Sequence, residues 1–164
     1  MSEEIELNNF RRIPDVGAEV GYLIMSCSNL DCWIFPAMSL LLDGNKDAAR
    51  VIMSTVSNLS PKFEILCGIA EPKKNNYALA HNISALKADT QKAIQFRNYV
   101  AHGMYWFNAD GDPFLTPRHF GSGKKQDISL TSEAIRHHTE TIKELTTCIR
   151  ASVGPFSPED ITGF

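Results

Sequence analysis

Apolar residues recur at three- and four-residue intervals in four segments of this 164-residue chain, and that spacing predicts amphipathic helices. The first segment runs from Val16 to Leu41 and contains Pro36, so a kink or a break is expected just before that proline. The second begins at Ala48 and divides into two helical pieces. Ser60 is predicted to cap the second piece, with a proline at its first helical position.

The third predicted helix runs from about Tyr77 to about His102, and the fourth opens at the sequence SLTSEAI and stops at Gly154-Pro155. Between them, the sequence NADGD has turn chemistry and flanking aromatic residues, which predict a short hairpin. The pattern as a whole predicts an all-α fold. We expect an antiparallel four-helix-type bundle with a short β-hairpin insertion, at about residues 105–129, between the last two helices.

The length of the chain predicts a single domain of ordinary size. Residues 14–153 would form the helical domain, preceded by a polar N-terminal segment at 1–13 and followed by a C-terminal tail at 154–164. The acidic start of the chain is unlike a signal peptide, and no apolar run approaches the ~20 residues of a membrane span. We therefore expect a soluble, cytoplasmic protein that does not associate with a membrane.

Composition and charge narrow the classes of function. The chain is 43% apolar and has a net charge of −3, so it has no general attraction for nucleic acid and would need a local basic patch to bind it. The four cysteines are scattered and form no C-x-x-C pair. This arrangement predicts buried free thiols in a reducing compartment, rather than a disulfide or zinc site, for Cys27, Cys32, Cys67 and Cys148.

The third helix carries an arginine on its apolar stripe. The stripe continues in three- and four-residue steps from Leu79 through Ala93, and the next step is Arg97. A charged residue at such a position is uncommon unless it is paired or borders an interface or a cleft. Asn98 and His102 are four residues apart and share a neighbouring, more polar face of the helix.

These residue types suit the cleavage of a phosphodiester. Histidine can take up or release a proton near neutral pH, and arginine offers a planar fork of donors that matches phosphate oxygens. Together they could cleave RNA without a metal, by deprotonating the 2′-hydroxyl, stabilising charge on the phosphoryl oxygens and protonating the leaving 5′-oxygen. A solvated polar cluster or a helix cap is the simpler interpretation, and spacing alone does not separate the two.

The sequence RNYVAH resembles the R-x4-H motif of the HEPN superfamily, in the form that has a polar residue directly after the arginine. Arg97 matches the arginine, Asn98 the polar residue and His102 the histidine. The predicted helical bundle, with the motif near the end of a late helix, is also similar to that superfamily. The resemblance extends over roughly residues 14–153, but only the motif is specific.

Many HEPN proteins are metal-independent endoribonucleases of toxin–antitoxin, phage-defence or stress systems, and they typically dimerise so that two motifs form one cleft. The resemblance therefore implies an RNA-cleaving homodimer that needs no metal and no cofactor. Arg97 would stabilise the scissile phosphate, His102 would act as acid and base or orient the phosphate, and Asn98 would position the histidine or the RNA backbone.

The resemblance also bears on partners and alternatives. An antitoxin or a nucleotidyltransferase would be a candidate partner. However, the tyrosine that such transferases modify, two residues after the histidine, is replaced by Met104, with Tyr105 one position further on. Two alternatives stay open: a non-catalytic HEPN-like dimeric module that binds a partner protein or nucleotide, and a helical interaction protein unrelated to RNA.

Other polar and aromatic residues are weaker candidates. His137 and His138 are adjacent but have no carboxylate at ligand spacing, so no metal site is predicted, and His138 is expected to be a buried or interface histidine. Trp33, Trp106 and Phe107 are predicted to be core or dimer-interface aromatics rather than base-stacking residues.

The sequence RHFGSGKK is basic and contains glycine, but it is not a phosphate-binding loop of the G-x-x-x-x-G-K type. It is either a flexible hairpin arm or a weak contact to the RNA backbone through Arg118, Lys124 and Lys125.

Overall fold

Five α-helices and a small antiparallel sheet make up the fold, in a computed structural model that describes residues 3–4, 13–118 and 126–155. A short 3₁₀ turn, Glu71–Lys73, joins the third helix to the fourth. The predominantly helical architecture confirms the sequence-based prediction. The elements, in chain order, are β1 (Glu3–Glu4), α1 (Pro14–Leu41), α2 (Lys46–Thr55), α3 (Leu59–Ala70), α4 (Ala78–His102), β2 (Met104–Phe107), β3 (Pro113–Thr116), β4 (Ile128–Ser129) and α5 (Ser132–Val153).

The helix ends follow local capping chemistry. The Asn45 side chain accepts a hydrogen bond from the backbone N–H of Ala48 at the start of α2, and Thr131 does the same at the start of α5. Gly154, with φ of 78°, ends α5 as predicted. The predicted cap at Ser60 is wrong, because Asn58 occupies the cap position of α3 and Ser60 lies within the first turn.

A kink or a break was expected just before Pro36. Helix α1 continues through this proline, so the break does not occur. Every residue from Ile34 to Ser39 is buried, and α1 packs against α2 and α3 in addition to α5. A proline inside a helix costs about 3 kcal/mol. Burial of this whole turn offsets that cost, so the helix ends only at Leu41.

Four of the helices enclose the core in a closed ring of contacts. Helix α1 packs against α5, α5 against α4, α4 against α3, and α3 against α1, while α2 packs mainly on the outside of α1. Burial of apolar side chains from these facing stripes is the main stabilising contribution. The largest fully buried side chains include Phe35, Phe63, Leu23, Leu30, Ile34 and Met38.

The direction of the helices corrects the prediction of an antiparallel bundle. Arg136 of α5 pairs with Glu19 of α1 at 2.7 Å, and the Arg150 guanidinium of α5 lies 5.5 Å from the ring centre of Trp33 of α1. Glu19 precedes Trp33 along α1, and their partners Arg136 and Arg150 follow in the same order along α5, so the two helices are parallel. The reason is α2, an additional helix that reverses the direction of the chain once more. The first and fifth helices therefore run in the same direction.

The predicted hairpin is confirmed and belongs to a larger sheet. Strands β2 and β3 pair across the NADGD turn, where the Asn108 side chain accepts hydrogen bonds from the backbone of Asp110 and Asp112. Strand β1 pairs with β2, and β4 pairs with β3, in the order β1-β2-β3-β4. The sheet is larger than predicted because these two-residue strands come from segments too short to carry an alternating pattern.

Helix α1 is also the one helix of the described part of the chain that is long and apolar enough to cross a membrane, with a mean hydropathy of 1.2 over its best window. By this measure the expected absence of such a run does not hold. Half of that window is buried within the bundle, and the core helix of a water-soluble protein passes the same test. The observation is therefore weak evidence for a membrane span.

The cysteines are free but not all buried, which corrects the sequence-based expectation. Cys27 and Cys67 lie in the core, Cys148 is half-buried and Cys32 is exposed. Burial raises the pKa of both core thiols to about 11, which suppresses the reactive thiolate. We expect a thiol reagent to modify Cys32 first and the two core cysteines only on unfolding, as measured by peptide mass spectrometry. Rapid native-state labelling of Cys27 would contradict this arrangement.

Candidate functional site

Arg97 lies where the sequence predicted it, on the inward-facing side of α4, and is half-buried among core residues of that helix. Its Nη1 donates a hydrogen bond to the Asn98 side-chain oxygen at 3.1 Å. Its Nε is fully buried and has no hydrogen-bond partner. An unpaired buried donor of a charged group is costly, so this arginine is not explained by its contribution to stability.

The Arg97 guanidinium also lies close enough to α1 to act on the buried thiol of Cys27. Burial raises the pKa of Cys27 to about 11, and the positive charge of Arg97 opposes that rise. Within residues 13–118 and 126–155, no carboxylate pairs with Arg97. The arginine is therefore a half-buried cation whose charge the described part of the chain leaves uncompensated.

His102 is the last residue of α4 and its side chain is exposed. Over the described ranges of the chain, its ring has no hydrogen bond, ion pair or stacking partner. The imidazole is thus available to a ligand. Arg97 and Asn98 are brought together by a hydrogen bond, whereas no hydrogen bond joins either of them to His102 among the described residues.

Gly103 fixes the position of His102 by letting α4 end directly against the sheet. Its N–H bonds to the Tyr99 carbonyl oxygen at 2.7 Å, and a Cβ at this position would collide with the buried Leu115 side chain of β3. The Tyr105 hydroxyl donates a hydrogen bond to the Val100 carbonyl oxygen and so ties β2 to the end of α4. Burial raises the pKa of Tyr105 to about 12, so the phenol stays protonated and able to donate.

Gly103→Ala should therefore lower the free energy of unfolding by about 1–3 kcal/mol, because the added methyl group overpacks the junction of α4 and β3. Gly68→Ala is the matched control. Gly68 lies in α3, where an added Cβ would have no neighbouring atom within 4 Å, so alanine there should add about 0.5–1 kcal/mol. Denaturant unfolding measures both variants. Equal stability of the two would contradict the close approach at Gly103.

His138 of α5 contacts Phe96 of α4, the residue that directly precedes Arg97 of the candidate site. The two rings stack with centres 4.3 Å apart. Burial lowers the pKa of His138, and the neighbouring His137 lowers it further, so the ring is neutral over a wider pH range. The stacking agrees with the predicted role of His138 as a packed histidine of the helix interface.

His137 faces an open groove along α5, and the excess of acidic residues in this groove is unfavourable for binding a phosphate. Two glutamates line the groove, with one lysine between them, and no arginine does so. Among the residues that the structure describes, no three histidine, cysteine or acidic side chains are grouped so that they could hold a metal ion. The lining residues are His137, Glu140, Thr141, Lys143, Glu144, Thr147 and Cys148.

The weaker RNA-binding candidates have separate outcomes. Arg118 is exposed, two residues beyond the end of β3. Lys124 and Lys125 lie outside the described residues. The prediction of a basic contact therefore stays a prediction, with one of its three side chains located.

The structure also reveals an aromatic pair of which the sequence reasoning considered only Trp106, assigning it to the core or a dimer interface. Trp106 of β2 stacks on Phe114 of β3, with ring centres 4.8 Å apart, and neither ring belongs to the packed core. Trp33, in contrast, packs against that core. The signal was present in the sequence, because pairing the two strands symmetrically across NADGD brings residues 106 and 114 opposite each other.

Comparison with known proteins yields no match to any family model, to any curated protein or to any solved structure.

Proposed function

We propose that the protein is a metal-independent endoribonuclease of the HEPN type. The proposal rests on one observation. The half-buried guanidinium of Arg97 has no carboxylate partner in the described part of the chain, and its Nε is fully buried without a hydrogen-bond partner. Retaining such a cation at the cost of stability is typical of residues that bind an anion. Arg97 precedes an exposed histidine on the same helix, in the R-x4-H spacing.

The proposed reaction is an internal phosphoryl transfer. The 2′-hydroxyl of the substrate loses its proton, and its oxygen forms a bond to the adjacent phosphorus. The bond from phosphorus to the leaving 5′-oxygen breaks, and that oxygen gains a proton. His102 transfers these protons, Arg97 stabilises the charge on the phosphoryl oxygens, and Asn98 orients Arg97 through their hydrogen bond.

The proposed active form is a homodimer. His102 and Arg97 are on different faces of α4 and share no hydrogen bond within the described part of one chain, so a second copy would complete a cleft around the phosphate. Light scattering should therefore give twice the mass of the 18.3 kDa chain. A strict monomer that still cleaves RNA would contradict the composite cleft.

The biological setting is proposed by resemblance alone. It is a toxin–antitoxin, phage-defence or stress system in the cytoplasm, in which an antitoxin or nucleotidyltransferase could control the enzyme. Met104, at the position of the tyrosine that such transferases modify, disfavours nucleotidylation there.

The function is tested by incubating the protein with an RNA and with DNA of the same sequence, both in excess EDTA. We expect the RNA alone to be cleaved and to leave 2′,3′-cyclic phosphate ends, since the attacking group is the 2′-hydroxyl. Cleavage of the DNA, or dependence on a divalent cation, would contradict the proposal.

A non-catalytic HEPN-like module is the second candidate function. It is favoured by the inward position of Arg97, whose side chain is held by Asn98 and lies near Cys27 within the bundle. Such a module would bind a partner protein or a nucleotide without cleaving RNA. Absence of cleavage by a folded, dimeric protein would favour it.

A further inference from the structure

The two faces of the sheet differ in what they contact. The inner cross-strand row is Tyr105, Leu115 and Ile128, and all three pack on the hydrophobic core. The outer row is Glu4, Trp106, Phe114 and Ser129, and its two aromatic rings lie outside that core. An antiparallel sheet with one face on the core usually has polar residues on the other face. Two large aromatic rings there need a different explanation.

The aromatic pair on this outer face is stacked and partly exposed. Its rings are almost parallel, with an angle of 16° between them. The Trp106 indole N–H donates to the Thr116 hydroxyl at 3.1 Å, and that hydroxyl donates to Asp127. Met104, in the next row of the same face, is 44% exposed. The Trp106 ring is therefore held in position in advance, and stacking a flat ligand on it would cost little side-chain entropy.

The aromatic pair lies between two ends that differ in charge. The far end is the hairpin turn, which carries the exposed acids Asp110 and Asp112. The near end carries the exposed cation Arg118 and the exposed acid Asp127, and it adjoins His102, which only Gly103 separates from β2. Because Arg118 offsets Asp127, a polyanion seated on the rings would be repelled less at the near end than at the hairpin turn.

We propose that Trp106 and Phe114 form a base-stacking site for single-stranded RNA, with the phosphate beside the stacked base directed toward Arg118 and His102. This inference rests on the proposed function. His102 and Trp106 are four residues apart, which limits their Cα separation to about 14 Å. A base on the outer face and a phosphate at His102 would thus belong to neighbouring parts of one strand. Stacking accepts any base, so the site supplies affinity rather than sequence preference.

Trp106 itself provides the direct measurement, since the chain has only one other tryptophan, Trp33. Trp33→Phe leaves Trp106 as the sole indole fluorophore. Titration of this variant with a short 2′-O-methyl oligonucleotide, which lacks the attacking hydroxyl, should quench the Trp106 emission in a saturable and salt-dependent manner. Binding detected by fluorescence anisotropy of a labelled oligonucleotide without any change in Trp106 emission would overturn the proposal.

Two substitutions test the contribution of the rings. Trp106→Leu and Phe114→Leu keep apolar side chains but remove the aromatic surface. Each should weaken oligonucleotide binding by about 5- to 150-fold, the range that base–aromatic stacking provides. Thermal melting of both variants reports whether they fold. Unchanged affinity in a folded leucine variant would overturn the proposal. If leucine prevents folding, the change in Trp106 emission of the Trp33→Phe protein tests the proposal instead.

The outcomes separate this inference from the proposed function. An oligonucleotide that quenches Trp106 in a protein without RNA cleavage would support the stacking site and count against the enzyme. Cleavage that depends on His102, with unchanged Michaelis constant in Trp106→Leu, would support the enzyme and overturn the stacking site. If Trp106→Leu converts a dimer to a monomer and oligonucleotides leave the emission unchanged, the outer face is an interface between copies, and the stacking site is overturned.

Discussion

His102→Ala should lower the rate of RNA cleavage in excess EDTA by about 10²- to 10⁴-fold, the usual contribution of a positioned acid or base. The residue is exposed at the end of α4, and no described side chain forms a hydrogen bond, ion pair or ring contact with it, so the substitution should remove the imidazole without disturbing the fold. The measurement is a single-turnover rate with a defined RNA, accompanied by thermal melting to show that stability is retained.

His81→Ala is the matched control for that substitution. His81 is also exposed and also lies on α4, near the opposite end of the helix. The His81→Ala variant should cleave RNA at the wild-type rate. If the two alanine variants lose activity equally, the effect reflects the helix rather than the motif. If His102→Ala retains full activity, His102 has no role in proton transfer and the observed cleavage comes from another source.

Arg97→Met should lower the cleavage rate by about 10²- to 10³-fold, as removal of one preorganised donor to a transition-state oxyanion does. The same variant should raise the free energy of unfolding by about 1 kcal/mol, because methionine needs no partner for the donor that Arg97 leaves buried and unsatisfied. Activity and stability would therefore change in opposite directions. Denaturant unfolding and single-turnover cleavage measure the two effects on one protein.

Lys62→Met is the control for the stability effect, since Lys62 is a buried cation that does have a partner. Its amino group donates to both carboxylate oxygens of Asp31, at 2.9 and 3.2 Å. Methionine there should lower the free energy of unfolding by about 1–3 kcal/mol by leaving the half-buried Asp31 unpaired. A comparable loss of stability in Arg97→Met would identify Arg97 as a structural residue and contradict its role as an anion-binding group.

Helical periodicity was sufficient to locate the main helices, because α1, α3, α4 and α5 each bury a stripe of side chains in one core. The extent of α4 and the end of α5 agree with the sequence prediction to within a residue. The direction of the chain was not accessible in the same way. Helix α2 buries only Ala49, so its pattern does not reveal that it reverses the chain and makes α1 and α5 parallel.

The candidate site was predictable in part for the same reason. Arg97 interrupts an apolar stripe, so periodicity alone identified a cation that the structure finds half-buried. Periodicity could not reveal that its Nε has no partner, because that depends on which side chains α1 and α5 present to it. The outer aromatic face was missed because Trp106 was assigned to the core or a dimer interface by itself and Phe114 was not considered, although the register of the hairpin pairs them.

Chemical rescue tests most directly the claim that an imidazole at the end of α4 transfers a proton to or from an RNA phosphodiester. The measurement is the cleavage rate of His102→Ala, in excess EDTA, as the concentration of added imidazole is raised. We predict that the rate rises with imidazole in His102→Ala and stays constant in Arg97→Met, because free imidazole can replace a proton donor but not a fork of hydrogen bonds. A cleavage rate that does not change with imidazole in His102→Ala, or that rises equally in both variants, would contradict the account.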